Sequence, residues 1–203
     1  GVDICSIVNN EGYDFLLVGS GISMSNTPDD IAASHYRASF YNRYFKRFKA
    51  PESWFYPGAL LKDKTKMFIA RSNCDVGVFI NRNFVKATNT LVVISSEEDL
   101  FLLDYTRTLL KATHGSVGIV AKMSTTTPGH DQILKELWDF VSSIPQTQLL
   151  PDKDLTPGLF NSYNFMLIGY NTWNDVSEHR KEALQKMPST LILNKNKRSS
   201  SDN

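Results

Sequence analysis

Three groups of residues in this 203-residue chain have the types and spacing to do chemistry. The first is a pair of glycine-bearing segments that each close an apolar run, Gly19-Ser20-Gly21 and Gly169-Tyr170-Asn171. A bare glycine lets backbone N–H groups approach a phosphate, and a helix N-terminus behind it adds a favourable dipole. The second is Ser95-Ser96-Glu97-Glu98-Asp99, which closes another aliphatic run. Ser95 and Ser96 are candidate ligand contacts, against the alternative that Ser96, Glu97, Glu98 and Asp99 cap the next helix by themselves. The third is Tyr36 to Lys49. At ~100° per residue, its aromatics Tyr36, Phe40, Tyr41, Tyr44, Phe45 and Phe48 sweep one half of a helix. Arg43, Lys46, Arg47 and Lys49 fill most of the other half. Such a helix packs by its aromatic face with a solvated basic back, or docks that back on anionic lipid headgroups.

Other chemistries lack their residues. The sequence has no Ser-His-Asp order, paired carboxylates in a polar loop or Gly-x-Ser-x-Gly elbow, so no catalytic residue is assigned. His35, His114, His130 and His179 lie far apart with no ligand spacing, so no metal site is assigned. Cys5 and Cys74 sit beside apolar runs without a CxxC, which reads as buried thiols in a reducing compartment. With 22 basic and 21 acidic side chains and a net charge of +1, no global field draws the protein to nucleic acid, so a nucleic-acid partner is not expected. No apolar run approaches the ~20 residues of a membrane span. The chain begins at Gly1 without a secretory leader, which reads as a soluble piece of a longer protein.

The elements that must position these residues alternate. Tyr13 to Gly19 and Tyr163 to Gly169 echo each other as one strand used twice, and their continuous apolarity predicts that both faces are covered. Further strands are expected at Val76–Ile80, Thr90–Ile94, Ser116–Met123, Gln146–Leu150 and Ser189–Leu193. Residues 3 to 10 read as the end of a helix that stops at Asn9 to Gly12, and further helices are expected at Ile31–Lys49 and at about Leu61–Ala70. Another, Glu97–Thr113, carries Phe101, Leu102, Tyr105, Leu109 and Ala112 on one face. A helix with Ile133, Leu134, Leu137, Trp138 and Val141 on its apolar face follows, then one from about Val176 to Met187. Asp175 and Glu178 have capping-box spacing and fill the start of that last helix with carboxylate. Alternation of this kind predicts an α/β fold with a mainly parallel sheet and flanking helices. It divides into the closing part of a first unit over 1–86, with an insertion at about 22–60, a complete second unit over 87–196, and a frayed tail at 197–203.

The run Cys74-Asp75-Val76-Gly77-Val78-Phe79-Ile80-Asn81-Arg82 resembles a strand in the cytosolic tails of CHX-type monovalent cation/proton antiporters, in particular the fungal K⁺/H⁺ antiporters. In that family the strand closes one universal-stress-protein-like unit, and a strand with an acidic helix start opens the next. Thr90 to Leu103 stands in that place. Ser116–Met123 and Tyr163–Gly169 match later strands in order, so the likeness covers most of the chain from Asp3 to Asn194.

The resemblance implies a universal-stress-protein-like fold and a non-catalytic regulatory role in ion and pH homeostasis, without a cofactor. Its partners would be the transmembrane domain of the same chain, a second copy in a homodimer and an anionic membrane surface. Its place would be the cytosolic face of an intracellular, Golgi-type membrane. Closing strands of such units pair at their edges, here through Val76, Val78, Ile80, Leu191 and Leu193. Nucleotide-binding relatives carry a G-x-x-G loop with a later Gly-Ser or Gly-Thr. Here Thr172 stands at the second glycine, Glu182 at the later one, and Ser95 where those relatives place an aspartate for adenosine. Loss of phosphate binding is the expectation. The alternatives are adenine-nucleotide sensing through Ser95, Ser96, Gly169, Tyr170 and Asn171, and a free-standing universal stress protein.

Overall fold

The computed structural model describes residues 4–19, 66–151, 155–179 and 186–196. The chain divides into two compact units, 1–83 with 196–203 and 84–195. The basic helix expected at Ile31–Lys49, with Arg43, Lys46, Arg47 and Lys49, lies outside the described residues.

In the first unit, helix α1 (Ile4–Glu11) ends where Asn9 to Gly12 predict a stop. Gly12 takes a φ of 70°, and the Tyr13 N–H donates to the Val8 carbonyl at 3.2 Å. A left-handed glycine satisfies the last helical carbonyls in this way. Strand β1 (Phe15–Gly19) pairs in parallel with β2 (Asp75–Ile80), Phe15 opposite Asp75 and Gly19 opposite Phe79. Residues 66–71, just before β2, are helical. The Asn9 side chain fastens α1 to that approach, donating to the Arg71 carbonyl and accepting from the Asn73 N–H, each at 2.8 Å. Cys5 and Cys74 are buried thiols, and neither is in a disulfide. Burial, with Asp75 alongside, pushes the Cys74 thiol pKa up, the direction of an inert thiol. The expectation that both faces of β1 are covered fails. Leu16 and Val18 are half-buried, while Phe15, Leu17 and Gly19 are exposed, Leu17 to 58%. Apolar composition reports what a strand could bury; among the described residues of this unit, β1 has β2 alone as a strand neighbour.

The second unit is a five-stranded parallel sheet with helical crossovers. Strand β3 (Asn89–Ile94), a 3₁₀ turn (Glu97–Asp99), α2 (Leu102–Thr113), β4 (Ser116–Ala121), α3 (His130–Ser143) and β5 (Thr147–Pro151) form its first half. The second half is α4 (Pro157–Phe160), β6 (Phe165–Gly169), α5 (Tyr170–His179) and β7 (Ser189–Asn194). The strand order in the unit is β7-β6-β3-β4-β5, and each of its four neighbour pairs is parallel. Leu91 to Ile94 are fully buried, as central strands of a two-sided sheet must be. Two close approaches hold the strands in place. A Cβ at Gly115 would lie 2.4 Å from the Thr88 carbonyl oxygen, and one at Gly118 would lie 2.2 Å from the Tyr163 hydroxyl.

Two helical faces are turned from the expected ones. In α2 the buried residues are Leu102, Leu103, Thr106 and Leu110, while Ala112 is exposed and Phe101, Tyr105 and Leu109 are half-buried. The helix starts at Leu102, after a 3₁₀ turn at Glu97–Asp99, rather than at Glu97. In α3, Ile133, Leu137 and Phe140 are buried and Trp138 is 54% exposed. Phe140 shares the buried face of Ile133 and Leu137 at helical spacing, and the exposed Arg107 lies over its ring at 5.0 Å.

Candidate ligand site at the sheet switch point

The strand order places β3 beside β6, although β3 leads through α2 to β4 on one side and β6 through α5 to β7 on the other. Right-handed crossovers running in opposite directions leave opposite faces of the sheet. Between the carboxyl ends of two such strands opens the crevice in which open α/β sheets bind ligands. Ser95 and Ser96 follow β3, while Gly169 ends β6 and Tyr170 and Asn171 open α5. The five candidate ligand residues therefore converge at the switch point.

What fills that point is the chain's own carboxylate. Asp99, the last residue of the 3₁₀ turn, is 2% exposed. Its Oδ2 accepts the Ser95 N–H at 2.8 Å, the Ser95 hydroxyl at 3.1 Å, the Ser96 N–H at 3.3 Å and the Thr172 hydroxyl at 2.6 Å. The Ser95 and Thr172 hydroxyls also touch each other. Its Oδ1 rests against Gly169, where a Cβ would come within 1.9 Å. Beside it, the Asn171 side chain donates to Glu98 Oε2 at 2.7 Å. Side chains from the first turn of α5 thus reach back to both acidic residues at the end of the β3 turn. A buried carboxylate is tolerated because donors replace its lost hydration.

The start of α5 differs from the expected one. The helix opens at Tyr170, directly after β6, rather than at about Val176, and its first turn holds no acidic residue. Asp175 and Glu178 lie further along the helix, so they do not cap it. Trp173 and Val176 are buried and share a face at i, i+3, so packing of that face sets the start. With no loop between β6 and α5, the glycine-rich backbone cradle of a phosphate site is absent here. Carboxylate does stand at this end of the helix, supplied by Glu98 and Asp99. The spacing of Ser96 and Asp99 signalled a self-capped turn; no sequence signal linked Thr172 to it.

Of the candidate edge residues, Val76, Val78, Ile80 and Leu193 are buried and Leu191 is half-buried. Among the described residues, no group of three or more His, Cys, Asp or Glu side chains is placed to hold a metal ion, and no helix is long and apolar enough to cross a membrane.

A parallel sheet in this order, wound by helices from both directions, defines a doubly wound α/β module with the Asp99 carboxylate buried at its switch point. No family model matches the sequence, and no curated protein does. Among solved structures the chain is similar to a universal stress protein from Archaeoglobus fulgidus DSM 4304, with a TM-score of 0.52 and 13% sequence identity. That likeness covers 96% of this chain and 64% of the other, so this chain spans less than two thirds of that protein's length. The fold is universal-stress-protein-like, as the resemblance implies, and α/β with a parallel sheet, as the alternation of elements predicts.

Proposed function

We propose that this chain is a non-catalytic regulatory domain of a monovalent cation/proton antiporter, acting by assembly or docking in K⁺ and pH homeostasis. One observation carries the non-catalytic, non-sensing part: the switch-point crevice holds the Asp99 carboxylate on four donated hydrogen bonds. An adenine nucleotide would have to displace that carboxylate and place its phosphates beside Glu98 and Asp99, against charge repulsion. The antiporter part is supported by the resemblance of Cys74 to Arg82 and by the strand echo. On this proposal the domain lies at the cytosolic face of an intracellular membrane. The closing strands β2 and β7 are the pairing elements, through Val76, Val78, Ile80, Leu191 and Leu193. A second copy and the transmembrane domain of the same chain are its partners, and differential contact with two transporter states would bias transport.

Adenine-nucleotide sensing is the second reading, favoured by the convergence of Ser95, Ser96, Gly169, Tyr170 and Asn171. Thermal unfolding under titration with ATP, ADP and AMP separates the two, because a ligand bound only by the folded state raises the midpoint. The regulatory proposal expects no dose-dependent rise up to millimolar nucleotide. A saturable rise would replace it with sensing.

A further inference from the structure

Three of the four hydrogen bonds on Asp99 close its own turn, and the fourth comes from a separate helix. Two successive backbone N–H groups, from Ser95 and Ser96, and two hydroxyls, from Ser95 and Thr172, converge on one oxygen of a side chain that is 2% exposed. The donors come from two separate elements, the turn after β3 and the first turn of α5. The other carboxylate oxygen fills the space left by the missing side chain of Gly169. Convergent N–H groups and hydroxyls in a shaped, dry hollow are the makings of an oxyanion receptor.

We propose that this hollow is a small-carboxylate receptor with its ligand built in, so that the module is held permanently in its occupied form. The inference deepens the proposed function by naming what closes the crevice and which ligand class the hollow takes. A tethered group competes at an effective concentration of millimolar or above. Free anions at lower concentrations therefore cannot displace Asp99, and the native module is indifferent to them. Removing the carboxylate while keeping its donors leaves room for a carboxylate of the size removed, formate or acetate, rather than for a nucleotide.

The test is chemical rescue of Asp99→Ala in the full chain, with sodium formate titrated against sodium chloride at equal ionic strength. The variant is expected to lose folded population, at least tenfold in its unfolding equilibrium. Formate, and more weakly acetate, should restore it in a saturable way, while wild type gives no response beyond the chloride control. Adding Thr172→Val should weaken the rescue several-fold by removing one donor. Equal formate and chloride curves for a folded Asp99→Ala would overturn the proposal, as would a formate response of the same size in wild type. If Asp99→Ala stays unfolded at every formate concentration, the double-mutant cycle of Asp99→Asn with Thr172→Val decides. A coupling of about fivefold or more in the unfolding equilibrium supports the receptor, and independent effects overturn it. Nucleotide binding by wild type would defeat the proposed function without producing formate rescue, so the two failures are told apart.

Discussion

Strands β1 and β6 are nearly the same sequence in the same local pairing, yet they live in different surroundings. Phe15 to Gly19 pairs in parallel with Asp75 to Phe79, and Phe165 to Gly169 pairs in parallel with Ser189 to Leu193, position for position. All five residues of β6 are buried, whereas those of β1 alternate between exposed and half-buried. On its other edge β6 pairs with β3. Its terminal glycine is held against Asp99, while a Cβ on the glycine ending β1 would meet nothing within 4 Å among the described residues. The comparison separates what a strand's own residues specify, extended backbone and pairing register, from what neighbours add, which is burial and the reason a glycine must stay a glycine.

The largest expected contrast is in the core. Leu167→Ala should cost about 3 kcal/mol, because it leaves a cavity in a packed interior, and Leu17→Ala at the echoed position should cost under about 1 kcal/mol. Urea unfolding midpoints of the two variants check this, and equal losses would mean that β1 is as enclosed as β6. The next contrast is in the glycines. Gly169→Ala should cost about 2 to 3 kcal/mol, since the new methyl group must push Asp99 off its donors. Gly19→Ala should fall within about 0.5 kcal/mol of wild type. Near-neutral behaviour of both would remove Asp99 from the crevice.

The smallest contrast is between the tyrosines that precede the two strands. The Tyr163 phenol pKa is raised chiefly by burial, with a hydrogen bond to Gln148 opposing it. That of Tyr13 is raised by the hydrogen bond and charge of Glu11. In each case the folded chain holds the phenol proton more tightly than the unfolded chain does. The stability involved is fully present below the ordinary tyrosine value and is lost as pH rises from there through the raised value of the folded chain. Glu11→Gln should bring Tyr13 back towards its ordinary value and leave Tyr163 raised. Ultraviolet titration of Tyr13→Phe and Tyr163→Phe, each with and without Glu11→Gln, reads the two separately.

The strands were legible because each is a short apolar run ended by glycine or polar residues, a local property that survives in the folded chain. Helix phase was less so. Trp138 belongs to the apolar pattern of Ile133 and Leu137, yet it is exposed, while Phe140, left out of that pattern, is buried with them. Asp175 and Glu178 imitate a helix start that burial of Trp173 and Val176 overrides. At the site, the convergence of Ser95 and Ser96 with Gly169 followed from strand order. The bond from Thr172 to Asp99 joins residues 73 apart in the sequence, and no spacing rule reaches that far.

From its sequence alone, this chain determines alternating strands and helices, a parallel sheet, a strand used twice, and buried thiols. All of these follow from apolar runs and chain punctuation acting over a few residues. Only the tertiary structure decided that one copy of the repeated strand is enclosed and the other half-open, and that the crevice at the switch point is filled from within. Burial and hydrogen-bond closure depend on which distant groups the fold brings within 3 Å or so of each other, and that distance has no counterpart in the order of the residues.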